Sequence, residues 1–119
     1  MVVPPEIHNT VTCLFADIKG FTAICADLSP IDVVRLLNKL YLQFDSFSHI
    51  FGVYKIETIG DAYVVAGGLP DKVRDHADRV VEMGLRMIKT TKHILNPKNS
   101  EPIKVRILFF EYVLSEPFR

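Results

Sequence analysis

No sign of charge predominates in this chain. Fourteen Lys and Arg balance fourteen Asp and Glu, and the pI is near 6.9. A nucleic-acid binder normally carries a basic excess to neutralise phosphates, and a polybasic membrane-surface protein carries a cationic cluster; this balance argues against both. Cysteine is scarce. Cys13 and Cys25 have no metal-ligand spacing around them, which excludes a disulfide framework and predicts two small, buried or half-buried thiols in a reducing compartment. His8, His49, His76 and His93 lie far apart, and no nucleophile–base motif is visible. Long apolar runs are missing as well. Charges such as Asp17 and Lys19 interrupt every stretch before the ~18 residues a membrane span needs. The N-terminal MVVPPEIHN has neither the basic start nor the apolar run of a signal peptide. Internal repeats and low-complexity segments are absent. Any anion bound here must be held by local geometry rather than by bulk charge.

What remains is a chain of 119 residues, 49% hydrophobic, enough for one packed domain. Residues 1–9 read as an irregular entry tail. TVTCLFA at 10–16 is β-branched and apolar and predicts a buried strand, which stops at the turn Asp17-Ile18-Lys19-Gly20-Phe21-Thr22. Ser29-Pro30 has the N-cap and first-position residues of a helix. Val33, Leu36, Leu37, Leu40, Tyr41, Phe44 and Phe47 then form its core-facing stripe, and Gly52 ends it. VYKIET at 53–58 and AYVVA at 62–66 flank Ile59-Gly60-Asp61, predicting a hairpin with Asp61 at its tip, and Gly67-Gly68-Leu69-Pro70 breaks the second strand. A second long helix is predicted over 71–95, with Val80, Val81, Met83, Gly84, Met87, Ile88, Ile94 and Leu95 on its apolar face and Asn96-Pro97 as its stop. IKVRILFF at 103–110 predicts a last strand. Strand–helix–strand–strand–helix–strand is the order of a ferredoxin-like α/β (α+β) fold.

Two carboxylates stand where that fold exposes them. Asp17 ends the first strand and Asp61 sits at the hairpin tip, on neighbouring strands. Such a pair can share hard divalent cations at ~2.0–2.1 Å. Two metals ~3.5–4 Å apart are a common device for in-line attack at phosphorus. Without a basic cluster, metals would have to neutralise a triphosphate. The Ile18–Thr22 turn offers successive backbone N–H groups as an anion nest. Aspartate also suits turns for purely conformational reasons, so spacing alone leaves both readings open.

VTCLFADIKGFT at 11–22 and VYKIETIGDAYVVAGGLP at 53–70 resemble class III nucleotidyl cyclase catalytic domains, over roughly residues 10–107. The resemblance implies a ferredoxin-like core, a dimer, and conversion of a nucleoside triphosphate to a 3′,5′-cyclic monophosphate and pyrophosphate. It implies that Asp17, Asp61 and the Ile18 carbonyl hold two Mg²⁺ or Mn²⁺ ions. It also implies that Ile18, Gly20, Phe21 and Thr22 cradle the phosphates. Glu57 stands where adenylyl cyclases place a lysine. A carboxylate there accepts from guanine N1–H and the 2-amino group, which favours GTP over ATP and the guanylate cyclase type; the plain alternative is an exposed strand glutamate. Four strand residues separate Glu57 from Asp61 by up to ~13 Å, so the two are expected to serve different sites, each completed by a second cyclase domain in a homo- or heterodimer. FTAIC, VYKIETIGDAY and EPIKVRI look most like alpha-type subunits of soluble guanylate cyclase, while VVEMGLRMI leans toward membrane adenylyl cyclases. The expected setting is the cytoplasm or the cytosolic portion of a membrane receptor.

Departures from the pattern are informative. Lys19 occupies a usually apolar position and is expected to point to solvent. After Val105-Arg106-Ile107 the family's Gly/His-rich turn does not follow. The expected division is therefore a tail at 1–9, the N-terminal part of a guanylate cyclase catalytic domain at 10–107, and a divergent tail at 108–119 that exposes apolar surface. Such a truncated product would carry the metal half of the site and have little turnover alone. A non-catalytic dimerisation module that modulates an intact cyclase is the alternative. A palm-type nucleotidyl transferase is a more distant one, disfavoured by neutral charge and Glu57.

Overall fold

The computed structural model describes residues 8–69 and 74–115. The chain runs β1 (His8–Ile18), α1 (Phe21–Asp27), α2 (Pro30–Phe51), β2 (Tyr54–Ile59), β3 (Ala62–Gly67), α3 (His76–Thr91) and β4 (Val105–Ser115). The strands form one sheet in the order β2-β3-β1-β4, every neighbouring pair antiparallel. This is the expected mixed α/β, ferredoxin-like arrangement. Among the described residues no helix is long and apolar enough to cross a membrane.

β1 is central, and its alternation sorts two layers. Leu14, Ala16 and Ile18 pack with Tyr63 and Val65 of β3 into the main core, against Leu36, Leu40, Phe44 and Phe47 of α2 and Val80, Met83 and Met87 of α3. Val11 and Cys13 face the other side with Ala66. Cys13 is buried and Cys25 half-buried, and both thiols are free. α2 is delimited as its sequence predicts. Ser29 Oγ accepts the Asp32 N–H, Pro30 opens the first turn, and Gly52 closes the helix at φ 65.

Four boundaries differ from expectation. The turn after β1 contains a separate short helix, α1, which no side chain caps; Phe21 and Ile24 pack it against the core. β1 itself is longer than predicted, from His8 to Ile18. The second long helix runs from His76 to Thr91 rather than over 71–95, with residues 74 and 75 in a turn; Pro70, residues 71–73, most of the N-terminal tail and residues 116–119 lie outside the described residues. Thr91 Oγ1 bonds back to the Ile88 carbonyl, and the His93 and Ile94 amides reach only three residues back, so the last turn tightens and stops. Ile94 is still buried because Ile103 N–H bonds to its carbonyl at 2.8 Å, but Val81, Ile88 and Leu95 face solvent. Finally, β4 spans Val105–Ser115 instead of 103–110 and pairs with the whole of β1, so residues 108–115 continue a strand. Its Leu108, Phe109, Phe110, Tyr112 and Val113 are exposed.

Candidate functional site

The register of β1 and β4 builds the site. Asp17, next to last in β1, lies directly opposite Arg106. Arg106 Nε donates to Asp17 Oδ1 at 3.0 Å and Nη2 donates to Oδ2 at 3.2 Å, a two-pronged ion pair on an exposed sheet end. The carboxylate raises the pKa of the guanidinium, first by the hydrogen bond and then by its charge.

Asp61 arrives from the other side. The β2–β3 connection is the two-residue turn Gly60-Asp61, with Gly60 at φ 59 in a region side chains avoid. Asp61 Oδ2 accepts the Ile18 N–H at 3.1 Å. Tyr41 of α2 donates its hydroxyl to the Gly60 carbonyl at 2.5 Å and so pins the turn from below. Burial, and then the Asp61 charge, push the Tyr41 phenol up to about 12.

A second brace lies two residues along. Tyr63 is fully buried and donates to Asp45 Oδ1 at 2.5 Å, while Lys55 Nζ sits 3.0 Å from the same oxygen. Burial, then the hydrogen bond to Asp45, raise the Tyr63 phenol well beyond the usual tyrosine range.

Asp17, Ile18, Gly20, Phe21, Thr22 and Asp61 line one cavity of about 320 Å³, together with Arg106. Gly20, at φ 71, lets the chain turn from β1 straight into α1 at the cavity's edge. Because α1 lacks a side-chain cap, its first amides are left for solvent or a ligand. Lys19 is exposed, as expected, and its N–H bonds to the Lys104 carbonyl at 2.8 Å. A larger groove of about 620 Å³ on the helix-free face shares Asp17 and Arg106 and continues along Phe15, Leu108, Phe110 and Tyr112.

Glu57 stays outside this cavity. It is exposed on the edge strand β2, paired with Val64. The register shift between Lys55 and Glu57 decides its direction. Lys55 pairs with Val65, which faces the helices, whereas Glu57 pairs with Val64, on the helix-free side. Without that irregularity Glu57 would point at α2.

The donor set suits a hard cation. Two carboxylates and the Ile18 carbonyl are all oxygen, and both acids are only part-buried. Among the described residues no group of three or more His, Cys, Asp or Glu gathers to hold a metal. The protein can thus supply two carboxylates and leave the remaining positions to water or substrate oxygens, the usual pattern for magnesium.

Comparison with known proteins gives the family. The family model for the adenylate and guanylate cyclase catalytic domain matches residues 3–108. The chain belongs to this family. It is 47% identical over 99 residues to guanylate cyclase soluble subunit beta-2 of Rattus norvegicus, covering 83% of this chain and 14% of that protein. It is likewise 47% identical over 106 residues to soluble subunit alpha-1 of the same species, covering 89% and 15%. The resemblance to soluble guanylate cyclase subunits therefore stands, and this cyclase domain spans about one-seventh of their length. The guanylate cyclase domain of RhGC from Catenaria anguillulae, solved in complex with GTP, superimposes with a TM-score of 0.82 at 40% identity, over 90% of this chain and 59% of that one.

Three residues of the site were not singled out from sequence. Arg106 and Tyr41 read as a strand residue and a core aromatic, and Asp45 fell within the predicted helix without a reading of its own. None of the three left a signal, since each meets its partner only through the pairing and packing of the folded chain.

Proposed function

We propose that this cyclase domain takes part in forming 3′,5′-cyclic GMP and pyrophosphate from GTP, contributing the metal-holding half of a site completed by a second cyclase domain. The observation that carries the reading is the single cavity holding Asp17, Asp61 and the Ile18–Thr22 turn. On this reading Asp17 and Asp61 present carboxylate oxygens, with the Ile18 carbonyl beside them. Two Mg²⁺ or Mn²⁺ ions bound there would neutralise the triphosphate and lower the pKa of the ribose 3′-hydroxyl. Gly20, Phe21 and Thr22 orient the phosphates through backbone N–H groups. Glu57 accepts from the guanine edge in the partner's site, which fits its position on the helix-free face, away from Asp61. The partner is a second cyclase domain, identical or different, and the setting is the cytosol or the cytosolic portion of a receptor.

The test is cGMP formation from Mn²⁺–GTP, by the chain alone and mixed with an intact cyclase domain. The expected result is little turnover alone, and turnover on mixing that falls about 10²-fold or more with Asp17→Ala or Asp61→Ala in this chain. A changed rate on mixing that ignores both substitutions would instead identify a non-catalytic dimerisation module. Aspartate-dependent cGMP from the chain alone would remove the need for a partner.

A further inference from the structure

Both oxygens of the Asp17 carboxylate are engaged by one guanidinium, at 3.0 and 3.2 Å. A fork of that kind occupies two of the four in-plane lone pairs from which a carboxylate also holds a divalent cation, one on each oxygen. Asp61 differs, because it accepts from the neutral Ile18 N–H, on Oδ2. The two acids of the cavity are therefore unequal: Asp17 holds the guanidinium by two hydrogen bonds, whereas Asp61 acts on it through its charge alone. The guanidinium never deprotonates, so a divalent cation arriving at Asp17 meets a like charge within the same cavity. The pair is also free to open. The Arg106 and Asp17 side chains are 65% and 40% exposed, and both are carried by backbone-paired strands, so side-chain rotation alone parts them.

We propose that Arg106 is a displaceable counterion of the carboxylate site. It holds Asp17 through one lone pair on each oxygen and competes with a divalent cation for that carboxylate, which weakens cation binding and favours Asp61 as the first acid to engage. The inference rests on the reading that Asp17 and Asp61 hold the cation. Arg106 is thus a positioning residue whose effect is on occupancy.

The experiment measures Mn²⁺ binding to the full chain without nucleotide, from the electron paramagnetic resonance of free Mn²⁺. Arg106→Gln keeps a hydrogen-bond donor and removes the charge. It should tighten Mn²⁺ binding about fivefold, the upper scale of one exposed ion pair. Arg106→Lys keeps a charge without the fork and should fall between the two, giving a second reading if Arg106→Gln folds poorly. Arg106→Gln and Arg106→Lys binding no tighter than wild type, while Asp17→Asn abolishes binding, overturns the counterion role alone. Mn²⁺ binding that survives both Asp17→Asn and Asp61→Asn overturns the metal reading and this inference with it.

Discussion

The carboxylate of Asp61 accepts the backbone N–H of Ile18 at 3.1 Å, so the β2–β3 turn is tied to the last residue of β1. This bond brings the hairpin acid alongside the strand that carries Asp17. Asp61→Ala should lower stability by about 1 kcal/mol, whereas Asp61→Asn, which keeps a carbonyl oxygen, should lose less. Urea unfolding compares the two. Equal losses would mean that the hydrogen bond contributes nothing to holding the turn.

Tyr63 joins the core to the polar brace behind the site. Its ring is fully buried, edge-on to Phe44 at 5.3 Å, and its hydroxyl reaches Asp45. Tyr63→Phe should cost about 1 kcal/mol and Tyr63→Ala about 3–5 kcal/mol. Thermal melts of both variants check this; a Phe variant as stable as the parent would show the hydroxyl bond to be neutral.

Alkali should loosen the fold through the same two tyrosines. The Tyr41 phenol is pushed up to about 12 and the Tyr63 phenol is raised further, from an ordinary value of 10.0. Between the ordinary and raised values each phenol stays protonated when folded and ionises when unfolded. Unfolding then releases protons, so rising pH favours it. The stabilisation is whole below about pH 10 and lost as pH climbs through about 12. Urea midpoints measured across that range should fall, and the double variant Tyr41→Phe, Tyr63→Phe should flatten the slope.

Two glycines should fail for different reasons. A Cβ on Gly67 would lie 2.7 Å from both the His76 carbonyl and Val80 Cγ2, so Gly67→Ala should cost about 1–3 kcal/mol through steric crowding. Gly20 has open space around it, and only its φ of 71 resists a side chain. Gly20→Ala should cost about 1–2 kcal/mol, and Gly20→Asn less, because asparagine tolerates the left-handed region. Asparagine at 67 should be no better than alanine. Denaturant midpoints of the four variants separate backbone strain from crowding.

The order of the six main elements was legible because their apolar periods are long and clean. α2 is an example: its stripe from Leu36 to Phe47 and its Ser29-Pro30 and Gly52 punctuation are local facts of the chain. α1 was not, since seven residues without a side-chain cap carry neither a period nor a start signal. The end of α3 was misplaced because Ile94 and Leu95 continue an apolar count that the backbone abandons at Thr91. Ile94 is buried through a loop contact with Ile103 instead.

The sequence by itself determined which acids stand at strand ends, that the fold is ferredoxin-like, and which cyclase motifs the chain carries. These follow from residue type and short spacing. Only the tertiary structure decided who meets whom. Asp17 faces Arg106 across 89 positions because antiparallel register is a global property of two long strands. Glu57 turns to the helix-free face because one irregularity in β2 shifts the alternation by a residue. Strand register is set by the packing of the whole sheet, and local sequence does not contain it.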